Sequence, residues 1–178
     1  MRKLIQSYLT TIDGAVDNPA SWQLQDYADD ASSRDAFGQV SACGAMLWGR
    51  TTYEYFSRVF PQRSDEWATR VNTMKKYVFS STLQTADWDN STIIRADAAA
   101  AVAKLKDEEG GDLLIYGRTQ LAETLRRAGL VDVVDVAVYP ILAGGSSPVL
   151  RDGPGNKLKL IATKSYAKGV VKLTYEPQ

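Results

Sequence analysis

Residues 46–54 read Met46-Leu47-Trp48-Gly49-Arg50-Thr51-Thr52-Tyr53-Glu54. A short apolar run stopped by glycine is the pattern of a buried strand. Thr51 and Thr52 can cap a following helix, with Tyr53 and Phe56 three apart on one face. The same design recurs in Tyr77-Val78-Phe79-Ser80-Ser81-Thr82 and in Leu114-Ile115-Tyr116-Gly117-Arg118-Thr119-Gln120. Ligands of α/β proteins bind at the carboxyl ends of sheet strands, and a helix start offers unpaired N–H groups with a partial positive charge. Glycine lets a backbone approach closely, the hydroxyls donate, and Arg50 and Arg118 add planar, permanently charged forks. Three such corners imply a ligand with several anionic groups, such as a dinucleotide. Neither a Walker A pattern nor Gly-x-Gly-x-x-Gly is present, which argues against a P-loop or a standard dinucleotide fingerprint.

Outward from these corners, Leu4 to Leu9 reads as a first strand closed by the turn pair Asp13-Gly14, and 26–42 as helix-compatible with weak periodicity. Thr92-Ile93-Ile94 is a strand. Asp97 can cap a helix running to Lys106, which Gly110-Gly111 ends, and Gly117 opens a helix with Leu121 and Leu125 on one face and Gly129 past its end. Val133 to Tyr139 is a strand, and 158–166 and 169–175 form a closing hairpin. The expectation is an α/β three-layer sandwich whose central, mostly parallel sheet carries an antiparallel C-terminal hairpin, as one domain over 1–178.

The chain has 178 residues, 21 Lys and Arg against 21 Asp and Glu, one Cys and no His. Without His, imidazole catalysis, the Ser-His-Asp triad and most zinc sites are excluded, so no metal is expected. A balanced charge gives no general drive toward nucleic acid or an anionic membrane. Cys43 alone cannot close an intramolecular disulfide, and its apolar surroundings suit a buried, inert thiol. The longest uncharged run, Val136–Leu150, has 15 residues and two prolines. That is short of the roughly 20 a spanning helix needs, and a cytoplasmic protein is expected.

The run Gly49 to Glu54 resembles the cofactor-binding motif of dihydrofolate reductases. The whole chain resembles the reductase domain of riboflavin biosynthesis in its stand-alone form, with the dihydrofolate reductase-like fold. The segments that carry the likeness, in order, are Thr11-Ile12-Asp13-Gly14, Lys76 to Thr82, Gly110 to Gly117, Gly129-Leu130-Val131-Asp132 and Tyr139 to Gly145. The resemblance implies an NADPH-dependent reductase acting on a small heterocycle, such as a pteridine or 5-amino-6-(5-phosphoribosylamino)uracil. The alternatives are a non-catalytic nucleotide-binding module on the same fold and a true dihydrofolate reductase. Relatives commonly dimerise, and the Val133–Ala143 stretch is the expected homodimer interface.

Carried over by position, Gly49, Arg50, Thr51 and Thr52 would hold the adenosine-side phosphates, with Arg50 selecting NADPH over NADH. Ser80, Ser81 and Thr82 would flank the ribose 2′-phosphate. Gly117, Arg118, Thr119, Gln120 and Leu121 would cradle the pyrophosphate. Asp13, beside Gly14, would lie near the nicotinamide and substrate. Trp22 matches the loop tryptophan of dihydrofolate reductases, and Tyr53 would either cover the cofactor or pack beneath it. For the acid that grips the substrate, Asp26, Asp29, Asp30 and Asp35 are all near, and Asp30 and Asp35 are favoured. The zinc deaminase motifs of the bifunctional riboflavin enzymes are absent.

Overall fold

The computed structural model describes residues 1–16, 18–144 and 157–178. Eight strands, β1 (Leu4–Thr11), β2 (Cys43–Gly49), β3 (Lys75–Phe79), β4 (Ser91–Ile94), β5 (Asp112–Tyr116), β6 (Val133–Tyr139), β7 (Leu158–Ser165) and β8 (Val171–Pro177), form one sheet in the order β4-β3-β2-β5-β1-β6-β8-β7. The first six in that order run parallel, and β8 is antiparallel to both β6 and β7. This is the expected mostly parallel sheet with its C-terminal hairpin.

Strand alternation divides two cores. Ala45, Leu47, Leu113 and Ile115 point to one face, where α4 (Ala98–Asp107) and α5 (Gln120–Arg127) contribute Val102, Leu105, Ala122 and Leu125. Met46, Trp48 and Leu114 point to the other, beneath α1 (Asp30–Ala42), α2 (Arg50–Val59) and α3 (Glu66–Thr73). Because the central strands are covered on both faces, their sequences are continuous apolar runs rather than alternating ones. Helices on both sides of the sheet make the three layers.

Several boundaries differ from the sequence reading. Helix α1 starts at Asp30, not Asp26, because Asp29 and Ser32 form a reciprocal capping box; two short 3₁₀ turns, Pro19–Trp22 and Leu24–Asp26, precede it. Only Val40 is fully buried on α1, which explains its weak periodicity. Gly117 does not open α5: with φ of 83° it makes the bend, and Thr119 is the cap of a helix that begins at Gln120. Asp97 caps α4 as expected, its carboxylate accepting from Ala100 N at 2.9 Å. The strand Val133–Tyr139 is interior, hydrogen-bonded to β1 on one side and β8 on the other. The outer edge belongs to β7, whose eight residues are all exposed. A bulge at Leu160/Ala162 and two lysines blunt it.

Among the described residues, no helix is long and apolar enough to cross a membrane. Gly145, the last residue of one sequence segment noted above, lies outside the described residues.

Candidate active site

Parallel strands bring their carboxyl ends to one edge of the sheet, and the strand order sets them in a row: β3, β2, β5, β1, β6. At about 4.8 Å per strand step, the row from β3 to β6 spans roughly 19 Å. Its first three members are the three corners read in the sequence, ending at Phe79, Gly49 and Tyr116.

The β2 corner is the most open. Among the five α-helices of the described residues, α1, α3, α4 and α5 each start with a side chain that accepts from the first turn: Asp29, Asp65, Asp97 and Thr119. Helix α2 starts at Gly49, with no side-chain cap. A Cβ placed on Gly49 would meet nothing within 4 Å. Thr51 and Thr52 therefore lie inside the first turn rather than capping it, since the strand runs straight into the helix. The α2 amides keep their capacity for an anion.

Arg50 joins this corner to the next. Its Nε donates to Glu54 Oε1 at 2.8 Å and its Nη1 to Thr82 Oγ1 at 2.8 Å, while about half the side chain remains exposed. Ser80 Oγ accepts from Thr82 N at 3.2 Å and Leu83 N at 2.9 Å, so its lone pairs hold the turn and only its proton is available outward. Ser81 and Thr82 are exposed. At the β5 corner Gly117 N donates to Ser7 O at 2.9 Å, and the Arg118 guanidinium stands 5.9 Å over the Tyr8 ring. Thr119 is occupied as a cap, Gln120 is exposed, and Leu121 packs into the α4/α5 core.

Beyond β1 and β6 lies a cleft of about 350 Å³ lined by Ser21, Trp22, Gln23, Asp26, Tyr27, Ile141 and Ala143. Trp22 and Tyr27 both pack on Tyr139, at 6.4 and 6.0 Å between ring centroids. The acid in this cleft is Asp26, not the favoured Asp30 or Asp35. Asp30 is exposed in the first turn of α1. Asp35 accepts from Tyr166 Oη at 2.8 Å and pairs with Lys164 Nζ at 2.5 Å, which hold its carboxyl below the ordinary range. It fastens α1 to the hairpin. Only the position of the helix start separates these acids, and the capping signal at Asp29 and Ser32 was present in the sequence.

Asp13 is also a tie. One oxygen accepts from Thr11 Oγ1 and the other from Gly144 N at 2.9 Å, lowering its pKa with the Thr11 bond foremost. With both oxygens engaged, it ties the β1 loop to the segment after β6. Its neighbour Gly14 has φ of 82°, which the turn requires. Tyr53 is buried, and its hydroxyl accepts from Trp88 N at 3.0 Å, so it packs beneath the corner.

The family model described as the RibD C-terminal domain matches residues 2–172. The chain belongs to this family. It is 28% identical to YyaP of Bacillus subtilis over 98% of this chain and 94% of that one. Among solved structures, a Shewanella sp. PV-4 protein ascribed to riboflavin biosynthesis superposes with a TM-score of 0.77 at 16% identity, covering 99% of each chain. Dihydrofolate reductase from Enterococcus faecalis, complexed with NADP(H), gives 0.61 at 12% identity over 99% of this chain and 96% of that one. At these identities the structural likeness is one of fold, and the fold is dihydrofolate reductase-like. In this RibD C-terminal domain the uncapped α2 amides, the exposed Arg50 fork and the bend at Gly117 suit a phosphate-rich ligand. Among the described residues no group of acids, thiols or imidazoles could hold a metal ion.

Proposed function

We propose that the protein is an NADPH-dependent reductase of a small heterocycle. The observation that carries this reading is the row of strand ends, which presents an anion-ready helix start, an arginine fork and a glycine bend in the order a dinucleotide would need them. The α2 start and Arg50 receive the adenosine-side phosphates at β2 and β3, and the Gly117–Gln120 bend receives the pyrophosphate at β5. The nicotinamide then faces β1.

When bound, the cofactor supplies the hydride, and the chain's own work is to align the rings and exclude water. The substrate ring lies on the α1 side of β1 and β5. The cleft around Trp22, Asp26 and Tyr27 adjoins this end of the row and takes the substrate's polar substituent, since Ser21, Gln23 and Asp26 offer hydrogen bonds beside aromatic faces. Family membership and the likeness to a Shewanella protein ascribed to riboflavin biosynthesis support a pteridine or aminouracil as the ring.

Calorimetric titration with NADPH and then NADH tests the reading. Micromolar binding with preference for NADPH is the expected result, and absence of binding by either would overturn it. Binding without cofactor oxidation across a panel of pterins and aminouracils would favour a nucleotide-binding module. Tight methotrexate binding would favour a true dihydrofolate reductase.

A further inference from the structure

The row of strand ends carries opposite charge at its two ends. Arg50 and Arg118 stand at the β2 and β5 corners, whereas the cleft beyond β1 and β6 has a single charged lining residue among the described ones, Asp26. The chain that builds this cleft is biased the same way. From Leu4 to Ser33 there are five aspartates and no lysine or arginine, and from Val136 to Leu150 there is no charged residue. The next arginine, Arg34, is exposed on α1, and Lys168 is exposed in the hairpin turn that abuts Pro140; neither lines the cleft.

Asp26 also differs from its neighbours in having no task in the fold. The carboxylates of Asp13, Asp29 and Asp35 each hold two partners. No described group hydrogen-bonds or ion-pairs with the Asp26 carboxylate, and only the backbone amide of this residue is engaged, donating to Gln23 O at 2.9 Å. Ser21 Oγ donates to Asn18 O at 2.9 Å, so its oxygen offers the cleft lone pairs alone. Trp22 and Tyr27 bring aromatic surface, inclined at 52° and 86° to the Tyr139 ring on which both pack. The turn that carries Trp22 has a strained backbone: Asn18 and Gln23, left-handed at φ of 48° and 50°, bracket it. Strain of this kind gathers at ligand clamps, and Gln23 is itself part of the lining.

A carboxylate without a partner, in one cleft with aromatic rings and free lone pairs, attracts a cation, because the ring quadrupole and the full charge act in the same sense. It repels a phosphate, which would meet a negative charge there with no guanidinium or ammonium to neutralise it. We propose that the cleft receives a cationic, phosphate-free arm of the substrate, an alkylammonium group joined to the reducible ring. This rests on the reductase reading above and adds the class of the substituent, which sets the chain apart from a reductase of phosphoribosyl compounds. The dinucleotide phosphates go to the arginine end of the row and the ammonium to the Asp26 end, so charge sorts the two ligands.

The test needs no cofactor. Dissociation constants of benzyltrimethylammonium, benzyl alcohol and benzyl phosphate are measured by NMR titration with the wild type, Asp26→Asn and Asp26→Lys. The titration is followed at the Trp22 indole N–H, so that binding at the arginine corners is not counted. The wild type is expected to hold the cation about fivefold or more tighter than the alcohol, as an exposed cation–π contact and an exposed ion pair together allow, and the phosphate more weakly than either. Asp26→Asn should lose most of the cation preference, and Asp26→Lys should reverse the order in favour of the phosphate. Melting temperatures equal to wild type show that the substitutions leave the fold intact. Equal binding of cation and alcohol by the wild type, a preference for the phosphate, or a cation preference that both variants keep would each overturn the proposal. Failure of the wild type to bind NADPH would instead strike the reductase reading, and the three probes would still decide what the cleft takes.

Discussion

Gly44 and Gly111 lie backbone against backbone where β2 and β5 begin. A Cβ on Gly44 would stand 2.9 Å from the Gly111 carbonyl oxygen, and one on Gly111 would stand 2.9 Å from the Gly44 amide nitrogen. The register of the two strands shifts between Cys43 and Ala45, and the glycines permit that irregularity at the centre of the sheet. Neither contact can relax at the tip of a flexible side chain. Gly44→Ala and Gly111→Ala are each expected to destabilise the fold by about 1–3 kcal/mol, the range for overpacking. Gly38→Ala, in the middle of α1 with nothing within 4 Å, should instead stabilise by up to about 1 kcal/mol through helix propensity. Urea denaturation of the three variants checks the opposed signs.

Arg50 bridges two corners through Glu54 and Thr82. Arg50→Ala is expected to weaken NADPH binding by about 1.5–3 kcal/mol, the range for hydrogen bonds to charged groups, with NADH little affected. Glu54→Gln removes the competing carboxylate and should leave NADPH affinity equal or higher. Equal weakening of both cofactors in Arg50→Ala would remove the 2′-phosphate assignment.

Lys76 is fully buried, and its ammonium donates to the carbonyls of Asn72, Met74 and Asp89 at 2.8, 2.8 and 2.9 Å, 4.5 Å from the Trp88 ring centroid. Lys76→Met leaves these carbonyls without their donor and should destabilise by about 1–3 kcal/mol or more. Burial pushes the Lys76 pKa down to about 8 from 10.5. The folded protein therefore holds this proton less tightly than the unfolded chain, and its contribution to stability rises with pH between about 8 and 10.5. Denaturation of wild type and Lys76→Met across that window should show the difference growing with pH.

Asp35 works in the acid range. Lys164 and Tyr166 keep its carboxyl below the ordinary value, so its stabilisation is complete above the usual carboxylate range and fades as pH falls through the folded pKa. Asp35→Asn should be less stable than wild type at pH 7, and the gap should close below about pH 4. Thermal melts over pH 2–7 read this directly; a gap that persists in acid would show that the carboxylate charge is not the source.

The legible parts of this protein are those governed by local signals. Val133–Tyr139, the closing hairpin of 158–166 and 169–175 and the Asp97 cap follow from apolar runs and turn residues, and the structure has all three. Long-range partners were not legible. Asp13 and Asp35 read as substrate-side acids, and their ties to Gly144 and Tyr166, each 131 residues away, leave no mark on the neighbouring sequence. Gly110-Gly111 read as a helix stop, whereas the demand on Gly111 comes from a neighbouring strand. Thr51 and Thr52 read as caps because hydroxyls usually cap, but the strand enters α2 through Gly49 with no residue to spare.

That bare entry into α2 makes the first turn the least anchored start of the five helices, and so the place where local opening should be easiest. Its amides should exchange with deuterium faster than those at the starts of α1, α3, α4 and α5 in the free protein, and slow when a phosphate arrives. The backbone from Arg50 to Tyr53 would then serve as a built-in reporter of occupancy, readable by mass spectrometry without label or substrate.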